Sequence, residues 1–514
     1  MATESASDRR SWGPVVAAIV AFVVSVPAFR VPFMSDDWIN LASVIDRVPF
    51  RTPFGYFRPL YLSLFWTERR IWGMHPVPFH AANIALIVAS AVLLVVLVRV
   101  YTGDSKWAGA AGMIFALHPY HVENAGWIAA RADSAATLLA LAAIYFYERW
   151  SRDQRGLPWL AILAFEAALL FKESVALLPA VIAILSSMRD RVRPSSREWL
   201  RGFVPLGFVA VAHFVVMRRG LVGDSGLAPL RTLGLAWINR GVDFFSAAII
   251  PLHAEQLEAH AKTLAVAAFA ACLCLLALAW SSIRKHPRAL VAFPVVFAAS
   301  AAPSLLTFQE RSMFFPSAVS AVALGFLLLR APRRVAPVLW SALLIVWGVS
   351  LGTHWSCWLE GGAASKQLIR GLTEASLRDG VREIVIANQP YRVAGTPVNG
   401  DLNAAVRLSG GRDVRILAAT SLDLPRATAS GIDGNLEDAV DVGLDSATVS
   451  IRVPRGKFSR LFLPLDHEVR TTQTTDFATL EFHGSGDATI TIPQNRDATR
   501  GAYVWYRGEL SRLF

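Results

Sequence analysis

The stretch VPFMSDDWINLAS, residues 31–43, sets two adjacent carboxylates, Asp36 and Asp37, directly after an apolar run. A carboxylate within hydrogen-bond reach of a hydroxyl can take its proton, so one of the pair is a candidate general base. Neighbouring side chains point different ways. The other would orient the base, bind a metal or meet a cation. The default alternative is an exposed acidic turn or a helix cap. Three further segments carry ionisable groups: HPYHVENAGWIAARADS (118–134), FKES (171–174) and FQERSMFFPS (308–317). His118, His121 and Glu123 are of metal-ligand type, which leaves a divalent ion open. A single histidine pair is a weak metal signal, however, and packing or hydrogen bonding is the default. Arg131 can pair with Asp133 or with a phosphate, whose oxygens suit the guanidinium fork. Lys172–Glu173 and Glu310–Arg311 are open in the same way, between two local ion pairs and cations reserved for a phosphate.

These groups must be positioned by apolar elements. The chain has 514 residues, 54 % apolar and 17 % charged, well below the charge content of an ordinary soluble domain. Candidate membrane spans fall at 14–31, 79–100, 108–119, 132–147, 157–171, 174–188, 203–217, 262–280, 289–306, 313–330 and 337–354. The N-terminal run is longer than a signal-peptide core and reads as a retained first span. The segment 229–251, interrupted by Asn239, Arg240 and Asp243, reads as re-entrant or surface-lying. Arginine-rich loops such as RDRVRPSSREWLR (189–201), SSIRKHPR and RAPRR fall on one side, which should be cytoplasmic. The N-terminus is then inside, and the four ionisable clusters lie at outer span ends, at headgroup depth. Ionisable residues there must pair, reach water or bind something, so a shared polar cavity roofed by the first outer loop, 32–78, is expected. Within that loop YFRPLYLSLFWTERRIWGMHP (56–76) mixes aromatics with Arg58, Arg69 and Arg70, the composition of an interfacial helix by default, with a wall for a lipid-linked substrate as the second reading.

After residue 358 the pattern changes. ASKQLIRGLTEASLRDG has helical spacing, and VREIVIANQ, ATVSIRVP, RLFLPLDH and ATITIPQ alternate as strands do. Residues 359–514 are expected to form an outer α+β or mostly β domain, with Asn388, Tyr391, Asp401 and Asn403 as acceptor contacts or, by default, solvated loop residues. Three cysteines form no disulfide framework. The net charge of +11 sits between apolar runs, without the aromatic-interleaved patch of a nucleic-acid binder.

SDDW, YFRPL, FHAANIAL, HPYHVENAGWIAARADSAATLLALAAIYFY, FKESVALLP and ERSMFFPS occur in an order that resembles the GT-C superfamily of membrane glycosyltransferases. More specifically it resembles the transmembrane and tetratricopeptide-repeat O-mannosyltransferases and their bacterial relatives, across residues 30–330. The family's HPxHxE…GRAD segment has alanine here before Arg131, and ERSMFF has Ser312 and Met313 where the family has tyrosine and leucine. The tetratricopeptide repeats are absent. The resemblance implies an inverting transfer, on the outer face of a bacterial inner membrane, from a polyprenyl-phosphate sugar to an acceptor hydroxyl on a protein or glycan. One of Asp36 and Asp37 would be the base. Arg131, Lys172 and Arg311 would hold the donor phosphate, with Arg58, His118, His121, Glu123, Asp133, Glu173 and Glu310 in support. Two other classes compete: a transporter or flippase of lipid-linked saccharides, and a membrane scaffold with an outer binding domain. Ionisable residues gathered at one face favour chemistry over passage, with Glu166 and His213 as the main intramembrane exceptions.

Overall fold

The computed structural model describes residues 12–188, 195–220, 235–284, 287–305, 309–378, 380–393, 395–398 and 400–424. Beyond these it describes 441–444, 448–453, 460–462, 472–474, 477–482, 488–493, 499–506 and 509–513. It divides into two units: residues 1–29 with 46–355, and residues 30–45 with 356–514.

The first unit is helical. Its elements open with α1 (Gly13–Ser25), while α2 (Asp36–Ser43) belongs to the second unit. There follow α3 (Pro59–Trp72), α4 (Pro76–Thr102), α5 (Ser105–Ala116), α6 (His121–Gly126), α7 (Arg131–Asp153), α8 (Trp159–Phe171) and α9 (Leu178–Ser187). Next come α10 (Val204–Gly220), α11 (Leu235–Ile249), α12 (Ala254–Ile283), α13 (Pro287–Ala301), α14 (Phe314–Arg330) and α15 (Ala336–Ser376). Among the described residues, six helical segments are long and apolar enough to cross a membrane: Gly13–Arg30, Pro76–Thr102, Ile128–Asp153, Ser196–Val215, Glu310–Arg330 and Ala336–Ser376. Four shorter apolar helices accompany them. The protein is therefore a multi-pass membrane protein. The expected span 108–119 lies on α5, of 12 residues, which packs among α1, α4 and α14. A side chain at Gly112 would collide with Val95 and Ala17, so glycine there sets how closely α1, α4 and α5 approach.

The segment read as re-entrant or surface-lying is, from residue 235, the helix α11. It buries Phe244, Ala247 and Ala248 against Tyr120, Ala301 and Met313. The apolar residues of its second half thus pack into the core of the first unit. Residues 229–234 of that reading lie outside the described residues, as do 189–194 of the arginine-rich loop and residues 285–286 of SSIRKHPR.

The expected boundary at 358/359 lies three residues from the division between the two units at 355/356, and both fall inside one uninterrupted helix, α15. Its GGAA sequence does not break it. Gly361 lies against Thr396, and Gly362 against Pro32, at positions a Cβ would not fit. In the second unit the central strand β1 (Glu383–Val393) is paired in parallel with β3 (Arg415–Leu424) and β10 (Arg500–Tyr506). The crossover from β1 to β3 carries α16 (Leu402–Leu408). Ile384, Val385, Ile386 and Ala387 are all fully buried, the near-continuous apolar run of a strand covered on both faces. Leu368 and Leu372 of α15, Leu402 of α16, and Ile490 and Ile492 share that core. A second, antiparallel sheet includes the hairpin-like partners Thr448–Val453 and Ala488–Pro493.

Candidate active site

Within the first unit, three of the four ionisable segments meet where helices begin or end. Asp133 lies in the first turn of α7, and Lys172 and Glu173 follow the last residue of α8. Arg311 precedes α14 in a short 3-10 turn, Glu310–Met313, and Glu123 lies on α6. The Lys172 ammonium donates to both Asp133 oxygens, at 2.7 and 2.6 Å. Arg311 Nε lies 3.7 Å from the same carboxylate. The backbone N–H and guanidinium of Arg311 both donate to Glu123, at 2.7 and 2.6 Å. Arg58 reaches Glu173 through two bonds, at 3.1 and 2.5 Å, the bidentate fork expected of guanidinium and carboxylate.

The local ion pairs that sequence adjacency suggests do not form. Lys172 and Glu173 take separate partners 39 and 115 residues away, and Arg311 takes one 188 residues away. Glu310 turns instead toward two imidazoles, at 3.9 Å from His253 and 3.4 Å from His354. The Arg311 guanidinium also lies 4.3 Å from the centre of the Trp127 ring.

Three cations therefore stand among three carboxylates, each cation with a small part of its side chain still exposed. Burial lowers the pKa of Lys172; Asp133 opposes that shift, while Arg311 and Arg58 reinforce it. Glu123 is pushed up by burial, against the pull of Arg311. For Arg58, burial alone would lower the pKa, but Glu173 more than compensates and leaves it raised. Lys172 thus feels both guanidinium groups, a concentration of positive charge that an anion would relieve.

Arg131 is placed differently from the expectation that grouped it with Lys172 and Arg311. It is fully buried, donates to Glu68 and to the carbonyls of Phe79 and Ile128, and lies over the rings of Phe65 and Phe79. With its bonds spent inside the fold, it ties α3 and the start of α4 to α7. Arg58, expected in a supporting role, is the third cation of the open network. Glu68 was not singled out in the sequence; it is the one acid in an aromatic stretch dominated by three arginines.

His118, His121 and Glu123 do not converge. His121 Nε2 lies 2.9 Å from Ser317 Oγ, which itself lies 2.8 Å from Phe314 O. His118 packs edge-on to Trp347. Burial, with the neighbouring His354, lowers its pKa to about 3. Among the described residues no group of three His, Cys, Asp or Glu side chains has a metal-binding arrangement.

The acidic turn belongs to the second unit. Ser35 has φ +50, a conformation few side chains adopt, and it sends the chain directly into α2. Asp37 is fully buried, and its carboxylate accepts from the Met34 N–H at 3.0 Å. Asp36 is half-buried. Gly400 abuts the Ser35 backbone where a side chain would not fit, setting the turn against the segment that leads into α16. Of the expected acceptor contacts, Asp401 caps α16 by accepting from Ala404 N, and Asn403 accepts from Ile416 N. The side chains of Asn388 and Tyr391 lie outside the described residues.

No protein-family model matches the chain, and no solved structure matches it. Among curated proteins it resembles membrane glycosyltransferases of the GT-C type. The relatives are O-mannosyl-transferases. Protein O-mannosyl-transferase TMTC1 of Homo sapiens is 41 % identical over 104 residues, 19 % of this chain and 11 % of that protein. TMTC2 of Homo sapiens is 34 % identical over 91 residues, 18 % and 11 % of the two chains. Tmtc1 of Drosophila melanogaster is 32 % identical over 146 residues, 28 % and 16 %. The matched stretches thus span about a ninth to a sixth of these relatives' own length.

Proposed function

We propose that the protein is an inverting glycosyltransferase that moves a sugar from a polyprenyl-phosphate donor to a hydroxyl of a protein or glycan, on the outer face of a bacterial inner membrane. The observation that carries the reading is the network of Arg58, Lys172 and Arg311 at the ends of apolar helices. A lipid-linked donor brings its phosphate to that level of a membrane. As the bond between the sugar C1 and the phosphate oxygen breaks, its electron pair passes to the phosphate, whose negative charge grows. Preorganised cations stabilise that charge more in the transition state than in the ground state. Asp133, Glu123 and Glu173 hold the three cations in place between turnovers.

The acceptor oxygen must lose its proton as it attacks C1, and Asp36 is the proposed base. Asp37 is committed to the Met34 N–H and to its burial, whereas Asp36 keeps part of its surface exposed. The names of the curated relatives support sugar transfer to protein. The test is release of polyprenyl phosphate from a labelled mannosyl donor by purified variants. Asp36→Asn should lose about 10²–10⁴-fold in rate, the usual contribution of a positioned base, with an unchanged unfolding midpoint. Parent-like turnover by Asp36→Asn would remove the base from the scheme.

A further inference from the structure

Residues 50–58 form a small hairpin whose exposed face is aromatic. Thr52–Pro53–Phe54–Gly55 makes the turn: Gly55 N–H donates to Thr52 O at 2.8 Å, and Gly55 adopts φ +85. The Thr52 N–H donates to Tyr56 O at 2.8 Å, Arg51 bridges to Phe57, and the Arg58 N–H donates to Phe50 O at 3.2 Å. The Arg51 guanidinium closes on Gly55 O. A turn tip in water would be built from polar residues. This one leaves Phe50 72 %, Phe54 54 % and Tyr56 42 % exposed. It is also fixed to the rest of its unit: Phe57 packs edge-on to His213, whose Nδ1 lies 3.4 Å from Glu166, and Phe50 stacks on Phe57. The hairpin is thus a rigid aromatic projection.

The same residues that build it also place a cation of the open network. Arg58 is bonded through its backbone to Phe50, lies over the Tyr56 ring at 4.5 Å, and holds Glu173 with its guanidinium. In a polyprenyl-phosphate donor the first isoprene unit is bonded directly to the phosphate. A phosphate at Arg58 therefore delivers the start of an apolar chain to the surface that Tyr56 and Phe50 begin. We propose that the aromatic face of the 50–58 hairpin binds the isoprenoid chain of the lipid-linked donor. The inference rests on the proposed function and adds the subsite for the donor's tail, with Phe50 and Phe54 as its main contacts.

The test uses the full-length protein in nanodiscs and the double variant Phe50→Ser/Phe54→Ser. Both side chains are exposed, so its unfolding midpoint should match the parent. The KM for a long-chain donor should rise at least about tenfold, the lower range for losing apolar pocket contacts, while the KM for a ten-carbon prenyl donor, which reaches only the start of that face, rises by a smaller factor. An unchanged KM for the long donor, or an equal rise for both, would overturn the assignment. A second arm does not depend on transfer: a photoreactive, sugar-free long-chain polyprenyl phosphate should label peptide 48–58 in the parent and not in the variant. Labelling elsewhere, or competition by an equal amount of ordinary phosphatidylglycerol, would also sink it. Labelling of 48–58 by a protein that releases no polyprenyl phosphate from any sugar donor would instead break the proposed reaction and leave the chain site standing.

Discussion

Two residues apart on the first turn of α7, Arg131 and Asp133 lead into ion pairs of opposite character. Arg131 is sealed: one carboxylate, two backbone carbonyls and two aromatic rings occupy it, and no part of it is exposed. Asp133 is shared: Lys172 and Arg311 both reach it, and each keeps a margin of exposed surface. The first arrangement can only hold helices together. In the proposed reaction the second would exchange a partner for a ligand, Arg311 keeping Glu123 while Lys172 turns from Asp133 to a phosphate oxygen. A motif read as one unit, RAD, thus contributes a fastener and a hinge of charge.

The largest effect should come from breaking the sealed pair. Arg131→Ala leaves the Glu68 carboxylate buried without its cation, which destabilises by about 3–5 kcal/mol, read as a lowered unfolding midpoint in detergent. Arg131→Met/Glu68→Leu should recover most of that loss, since no charge is left uncompensated. Next come Lys172→Met and Arg311→Met. Each should slow donor cleavage about 10²–10³-fold, about 3–4 kcal/mol of transition-state stabilisation, with a smaller drop in midpoint than Arg131→Ala, because Arg311 still reaches Asp133 in the first variant and the backbone N–H of residue 311 still donates to Glu123 in the second. If their midpoints fall as far as that of Arg131→Ala, the distinction between sealed and shared pairs fails. The smallest effect, over the first pH unit of acidification below pH 6.5, is the acid response of the buried His118. The unfolded chain takes up its proton near pH 6.5, whereas burial and His354 hold the folded pKa at about 3. Protons therefore favour unfolding as pH falls from 6.5 toward 3, by at most about 1.4 kcal/mol per pH unit. His118→Phe should flatten that slope in a series of thermal melts and leave the midpoint above pH 7 nearly untouched.

The helices were legible because an apolar run of spanning length has few other uses. Each of the eleven expected segments overlaps a helix, from α1 to α15. The candidate site was legible in its members but not in its pairing. Charge type is visible in a sequence; the partner is not when it lies 39 to 188 residues away. Arg131 and Arg311 look alike on paper, and only the burial of Glu68 on the inner side of α3 separates them. The same limit applied to the second unit. Alternation revealed β1, but its parallel pairing with β3 and β10 depends on contacts that no local pattern encodes. The glycines of α15 serve close approach within a helix, a use that composition does not announce.

Lys172 has an extended backbone, φ −162 and ψ 138, between the end of α8 and the turn that starts at Glu173. That single extended residue lets consecutive side chains serve different partners, the cation toward Asp133 and the acid toward Arg58. Its consequence concerns length more than composition. Deleting one residue between 168 and 171 would slide the segment by one step and set Glu173 against Asp133 and Ser174 against Arg58. One attraction would become a repulsion and the other would be lost at once. The segment should tolerate changes of side chain far better than changes in the number of residues.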